Sequence, residues 1–164
     1  MKLNVLRSIF GYDSFRPLQE TCIQSVLDKK DTVLIMPTGG GKSLCYQIPA
    51  LILPGLTVVI SPLISLMKDQ VSQLKSLGVE AEVLNSSLTF DEYDINQAKI
   101  RSGKTKLLFC APETLFKEDI LRMLNSCRVD CVAIDEAHCI SEWGHDFRPE
   151  YRRIKELREQ FPNA

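Results

Sequence analysis

The chain has no excess of charge, few aromatic rings and no long apolar run, and each shortage removes a class of function. Lysine and arginine number 20 against 21 acidic residues, a formal charge of −1. Capture of nucleic acid by a global positive field is thereby excluded, so any such contact has to be local. Pro49, Pro54, Gly55 and Pro62 break up the longest apolar stretches, which argues against a membrane-spanning helix. The start, Met1 through Arg7, is too short and too polar for a secretory core, and a cytoplasmic location is expected, in a bacterial cytoplasm or nucleoid before a nucleus. None of the six cysteines forms a Cys-x-x-Cys pair. Cys127 and Cys131 have half the spacing of a zinc site, but the entry to a strand accounts for both, and reduced core thiols are expected. Repeats, low-complexity tracts and linkers are absent too. With 164 residues, 45% of them apolar and 25% charged, the chain reads as one ordinary globular domain, 1–164.

What is present concentrates in two places. The first is Met36-Pro37-Thr38-Gly39-Gly40-Gly41-Lys42-Ser43, between the apolar run Thr32–Ile35 and Leu44-Cys45-Tyr46-Gln47. Strand, glycine turn and helix start follow in the order a phosphate cradle needs. Glycines let backbone amides turn inward, and the helix N-terminus adds donors and a favourable dipole. Lys42 would reach the β and γ phosphates of a nucleotide, and the Ser43 hydroxyl would ligate Mg²⁺. The strict phosphate-loop pattern has glycine where Met36 stands, a position that nucleotide-driven helicases relax.

The second is Asp135 to Tyr151. The apolar run Cys131-Val132-Ala133-Ile134 delivers Asp135-Glu136, then His138, then a loop with the only tryptophan, Trp143, followed by His145, Phe147 and Arg148. Adjacent carboxylates at the end of a strand suit a metal–phosphate and its attacking water. Flat rings and a guanidinium suit something that passes beside that site. A Trp packed against the sheet is the ordinary reading of a lone tryptophan, but Gly144 and the polar Glu142, His145 and Asp146 favour an exposed loop.

Apolar runs at 32–36, 56–60, 81–84, 106–110 and 129–134 are short and mostly continuous, as in parallel strands covered on both faces. Helical spacing separates them: Leu18, Cys22 and Val26 after Pro17; Leu63, Met67, Val71 and Leu74 between Ser61-Pro62 and Gly78; Tyr151, Ile154, Leu157 and Phe161 between Pro149 and Pro162. The expected fold is α/β, a mainly parallel sheet with helices on both faces and ligands beyond the carboxyl ends of its strands. Charge is uneven: Glu80 to Asp94 holds five acidic residues and no basic one, whereas Arg148, Arg152, Arg153, Lys155 and Arg158 cluster near the end, most of them as a solvated helix face.

Taken together, these segments resemble the first RecA-like motor domain of the RecQ DNA helicases of superfamily 2, over nearly the whole chain. Phe10 to Gln19 is similar to the motif that precedes the phosphate loop in that family. The resemblance implies that 1–30 is an adenine-recognition helical segment in which Tyr12, Arg16 and Gln19 stack on and hydrogen-bond the base, while Phe10 and Phe15 are better read as core. Ile60 to Gln70 resembles a second motif and Ala111-Pro112-Glu113-Thr114-Leu115 a later one, with Ser61, Asn85 and Ser86 expected to meet DNA phosphates at strand ends. Single Ser-Pro and Ala-Pro pairs are also plain helix starts.

The resemblance then assigns roles. Asp135 would hold Mg²⁺, Glu136 would orient or deprotonate the attacking water, and His138 would link the nucleotide site to neighbouring motifs. Lys42, Thr38, Gly39, Gly40, Gly41 and Ser43 would cradle ATP. Trp143, His145, Phe147 and Arg148 would sense DNA, since base–aromatic stacking tolerates any sequence. An arginine finger from a second motor lobe is expected across the ATP cleft, and neither that lobe nor the family's zinc-binding and winged-helix parts lie in these residues. The expected function is the ATP-binding lobe of a 3′-to-5′ DNA helicase of recombination and repair, binding Mg-ATP and DNA weakly and not unwinding alone. A lobe of an RNA helicase of the same superfamily, a non-catalytic nucleotide- or DNA-binding fragment and, more distantly, a small-molecule kinase are the alternatives.

Overall fold

The computed structural model describes residues 1–37, 39–140 and 149–164. They gather into two compact units, Met1–Pro54 and Gly55–Ala164. No helix among the described residues is long and apolar enough to cross a membrane.

The first unit is helical: α1 Lys2–Ser8, α2 Gln19–Leu27 and α3 Leu44–Ile52. One apolar stripe from each helix supplies its core, Leu6, Ile23 and Ile48, all fully buried. Phe10 and Phe15 pack against that centre with Leu3, Leu27, Leu44 and Ile52, the packing role their spacing suggested. The run 32–36 is where expectation fails. It is not a strand: the sheet has four members and this segment is not one of them. Val33 and Ile35 are 91% and 85% exposed. β-branched residues bias a backbone toward extension, but a strand exists only when a neighbour accepts its hydrogen bonds, and the described residues offer this run none.

The second unit is built on β1 Leu56–Ile60, β2 Ala81–Leu84, β3 Leu107–Cys110 and β4 Val129–Ile134, with α4 Ile64–Ser76, α5 Phe90–Arg101, α6 Pro112–Leu115, α7 Glu118–Asn125 and α8 Leu157–Gln160. The four strands are parallel in the order β2-β3-β1-β4. All residues of β1, β2 and β3 are buried, which is why these runs read as mostly continuous rather than alternating. One face carries Val58, Ile60, Leu84, Leu108 and Cys110 against Ile100, Leu115, Ile120, Met123 and Leu124 from the helices, and Tyr151, Leu157 and Phe161 close it. Burial pushes the Cys110 thiol above its ordinary range, so it behaves as a small hydrophobe.

Helix ends follow local chemistry. Gly78, at φ +82°, donates to the Lys75 carbonyl while Val79 donates to Leu74, the paired closure that a left-handed glycine permits. The Ser61 hydroxyl accepts the Leu63 amide at 3.2 Å, and α4 starts at Ile64. α5 opens with a reciprocal cap: the Thr89 hydroxyl accepts the Glu92 amide and the Glu92 carboxylate accepts the Thr89 amide. The Thr89 amide hydrogen bond also holds the Glu92 carboxyl below its ordinary range. We expect Thr89→Ala to lower stability by about 1 kcal/mol. A chemical-denaturation midpoint equal to that of the parent would show that the cap is dispensable. The closing segment differs from the single α-helix expected: Pro149–Glu156 is 3₁₀ and only Leu157–Gln160 is α. Tighter 3₁₀ winding keeps Tyr151 and Leu157 in the core while Arg152, Arg153 and Arg158 stay on the outside.

Glu82, an acidic side chain on the edge strand β2, is buried. Lys75 reaches it at 3.4 Å and Lys99 at 3.7 Å, so α4 and α5 neutralise it from their own surfaces. A charge at this place also discourages edge-to-edge pairing with another chain.

Candidate functional site

In the first unit the glycine turn leads into α3 as the sequence suggests. Gly39 and Gly41 have φ of +80° and +83°, which only glycine adopts at low cost. The Gly40 amide donates to the Pro37 carbonyl at 3.0 Å, and Ser43 sits at the N-cap of α3. Lys42 and Ser43 are exposed, so the ammonium and the hydroxyl stand in solvent at the start of the helix. An anion fits such a place.

Two side chains expected at the base instead hold this turn. Arg16 donates from a guanidinium nitrogen to the Gly39 carbonyl at 2.6 Å. The Gln19 amide donates to the Gly41 carbonyl at 3.0 Å, while its oxygen accepts the Arg16 backbone amide at 2.8 Å. A Cβ at Gly41 would collide with the Gln19 amide. Gln19 is buried, and the residue before it, Leu18, takes a left-handed φ of +71°. Such strain in a bulky residue needs support from its surroundings. Tyr12, at 52% exposure, stands free of the core beside these residues in sequence. Thr38 lies outside the described residues. On the other side of the turn, burial raises both thiols of Cys22 and Cys45, the latter to about 12, and they hydrogen-bond each other between α2 and α3.

In the second unit β4 ends where the carboxylates begin. The Asp135 amide donates to the Ile60 carbonyl at 2.9 Å, prolonging the β1–β4 ladder by one step. The Asp135 carboxylate accepts the Glu136 amide at 3.0 Å. Glu136 then turns to φ +55°, left-handed and unusual for a long side chain. His138, in the 3₁₀ turn Ala137–Ile140, places Nδ1 3.3 Å from a Glu136 carboxylate oxygen. The Tyr151 hydroxyl donates to the Asp135 carbonyl at 3.0 Å. Sequence spacing placed Tyr151 on a core-facing stripe but gave no sign of this polar contact.

Other candidates also fall at strand ends. Ser61, following β1, spends its hydroxyl on the Leu63 amide. Asn85, after β2, is turned inward: it is 2% exposed, its oxygen accepts from the Ser87 amide and hydroxyl, and its NH₂ faces the Met67 sulfur. Ser86 is the exposed member of that pair. Trp143, His145, Phe147 and Arg148 lie outside the described residues.

The Ser43 hydroxyl in the first unit and the Asp135 carboxylate in the second are each an oxygen donor of the hard type that suits Mg²⁺. Among the described residues no group of three or more histidine, cysteine or acidic side chains is placed to hold a metal ion.

Comparison with known proteins extends these observations. The model of the DEAD/DEAH box helicase family matches residues 16–163. The chain is 57% identical over 162 residues to the ATP-dependent DNA helicase RecQ of Pasteurella multocida and 54% identical to that of Haemophilus influenzae, in each case over 99% of this chain and 26% of the relative. It is 44% identical to the ATP-dependent DNA helicase Q1 of Mus musculus, over 98% of this chain and 26% of that one. It therefore spans about a quarter of the length of these curated relatives. Among solved structures, a hypothetical ATP-dependent RNA helicase from Sulfolobus tokodaii superposes with a TM-score of 0.73 at 23% identity, covering 99% of this chain and 47% of that one, which shows the shared fold. With a phosphate-type turn at the start of α3, a strand-end Asp135-Glu136 and this match across nearly all residues, the chain belongs to the DEAD/DEAH box helicase family, as the first motor domain of a RecQ-type member.

Proposed function

We propose that this chain is the ATP-binding lobe of a 3′-to-5′ DNA helicase that acts in recombination and repair. The observation that carries the reading is the turn 39–43. Two left-handed glycines lead to exposed Lys42 and Ser43 at the N-terminus of a nine-residue helix. Amides of Gly39, Gly40 and Gly41 and the Lys42 ammonium take the phosphates, which requires the Gly40 amide to leave the Pro37 carbonyl or to share it. Ser43 and Asp135 would each offer an oxygen to Mg²⁺, which would neutralise charge on the transferred phosphoryl group. Glu136 aligns the attacking water and takes its proton, with His138 steadying its carboxylate. Arg16 and Gln19 read the adenine, which requires them to leave the Gly39 and Gly41 carbonyls or to share them with the base. Tyr12 covers the ring face. Ser61 and Ser86 offer hydroxyls to a DNA backbone and Asn85 shapes that turn. Trp143, His145, Phe147 and Arg148 contact the strand and report its presence to the carboxylates.

The arginine that completes hydrolysis comes from a second motor lobe. The quarter-length match and the charge that develops in phosphoryl transfer support this reading. The 164 residues alone bind Mg-ATP and turn it over poorly.

Titration of the purified chain with Mg-ATP, with and without single-stranded DNA or RNA, tests this when binding and phosphate release are read together. Saturable binding with negligible release is expected, and DNA competes better than RNA. Absence of nucleotide binding would remove the reading. DNA-stimulated turnover by these residues alone would remove the requirement for a second lobe.

A further inference from the structure

We propose that Tyr151 is a positioning residue for the Asp135-Glu136 turn, its buried hydroxyl fixing the peptide that aims the Glu136 carboxylate. The proposal rests on the hydrolytic reading above and adds to it a residue outside the phosphate and carboxylate motifs.

Tyr151 stands first by size among the fully buried side chains of the described residues. Its ring belongs to the cluster formed by Ile60, Cys110, Leu115 and Leu157, so it is held by the same packing that holds the sheet. Phenylalanine would fill such a place equally well. A tyrosine there must find a partner for its hydroxyl, and it donates to the Asp135 carbonyl at 3.0 Å.

That carbonyl belongs to the peptide joining Asp135 to Glu136. The amide of Asp135 is pinned on the other side by the Ile60 carbonyl at 2.9 Å. Beyond it Glu136 is left-handed at φ +55°. A rotation of this single peptide would bring Glu136 back to an ordinary φ and swing its carboxylate away. The strain relieved by that rotation and the hydrogen bond lost by it are of similar size. The Tyr151 hydroxyl therefore decides which orientation prevails. The Glu136 amide on the Asp135 carboxylate at 3.0 Å and His138 at 3.3 Å from the Glu136 carboxylate act in the same direction. Neither of them touches the carbonyl itself.

The test is Tyr151→Phe, which keeps the ring and removes one oxygen. In this chain, ¹³C-carbonyl and amide NMR should show shifts centred on Asp135 and Glu136, with Mg-ATP affinity within about twofold of the parent. In a protein that carries this lobe with its second lobe, kcat should fall about tenfold at nearly constant KM, the loss of one net hydrogen bond's worth of orientation. Unchanged kcat would overturn the proposal. A parallel loss of affinity and kcat with shifts spread over the core would overturn it as well, because Tyr151 would then be packing alone. Lys42→Ala run alongside separates the two levels. If it leaves ATP affinity intact, the nucleotide reading fails and the catalytic role of Tyr151 falls with it; if it weakens affinity as expected while Tyr151→Phe is silent, only the Tyr151 proposal fails.

Discussion

Replacing Lys42 by alanine is expected to weaken Mg-ATP binding roughly 30- to 150-fold without altering the fold. Lys42 is exposed and precedes α3, whose first turn stands on Ser43, so the side chain has no packing to lose. Its loss removes one charge-assisted contact to phosphate, about 2–3 kcal/mol, and each 1.4 kcal/mol is tenfold in affinity. The remaining donors, the turn's amides and the dipole of α3, keep some affinity, so complete loss is not the expectation. The measurement is a titration with a fluorescent ATP analogue at fixed Mg²⁺, with a thermal melt of both proteins as the control for folding. An affinity within threefold of the parent at equal melting temperature would mean that the turn is not a phosphate cradle. Adenosine, which has no phosphate, should bind both forms equally. That second arm separates a phosphate role for Lys42 from a general disturbance of the region around Arg16 and Gln19.

The sheet was legible in the sequence because burial on both sides leaves a compositional trace. Leu56–Ile60, Ala81–Leu84 and Leu107–Cys110 are buried throughout and appear as mostly apolar runs, interrupted only by Thr57 and Glu82. The run 32–36 has the same trace but no ladder, and composition alone does not register whether a neighbour is available to pair. A similar limit applies to the last helix. Its spacing correctly put Tyr151 and Leu157 inside, yet 3.0 and 3.6 residues per turn cannot be told apart over so few residues. Within the candidate site, the glycine turn announced itself through residue type, since left-handed backbone there needs glycine. The left-handed Glu136 left no such sign, because a long acidic side chain is not chosen for that conformation. Gln19 was singled out through its motif, but its grip on the Gly41 carbonyl depends on where a loop folds back, and only coordinates give that.

The second large effect is expected at Glu136, where Gln should abolish turnover while sparing binding. Glutamine has nearly the same shape, so φ +55° costs it about as much as it costs glutamate. Its amide oxygen can still receive a hydrogen bond from His138 Nδ1, which lies 3.3 Å from the carboxylate in the parent. The Asp135 amide on Ile60 and the Tyr151 hydroxyl on the Asp135 carbonyl do not involve the Glu136 side chain at all. Geometry is therefore preserved and only the capacity to take a proton is lost, a change worth about 10²- to 10⁴-fold in rate for general-base catalysis. Because this chain spans about a quarter of its relatives, turnover should be read in a protein that carries both motor lobes, with DNA present. Mg-ATP affinity should stay within about threefold, since no phosphate contact is assigned to Glu136. A variant that still hydrolyses ATP within tenfold of the parent would show that Glu136 is not the base. Asp135→Asn distinguishes the remaining possibility. If Asp135 carries Mg²⁺, its variant should raise the Mg²⁺ concentration needed for half-maximal ATP binding, a dependence that Glu136→Gln leaves where it was. Equal shifts in both variants would mean that the two carboxylates act as one unit and that the division of roles between them is wrong.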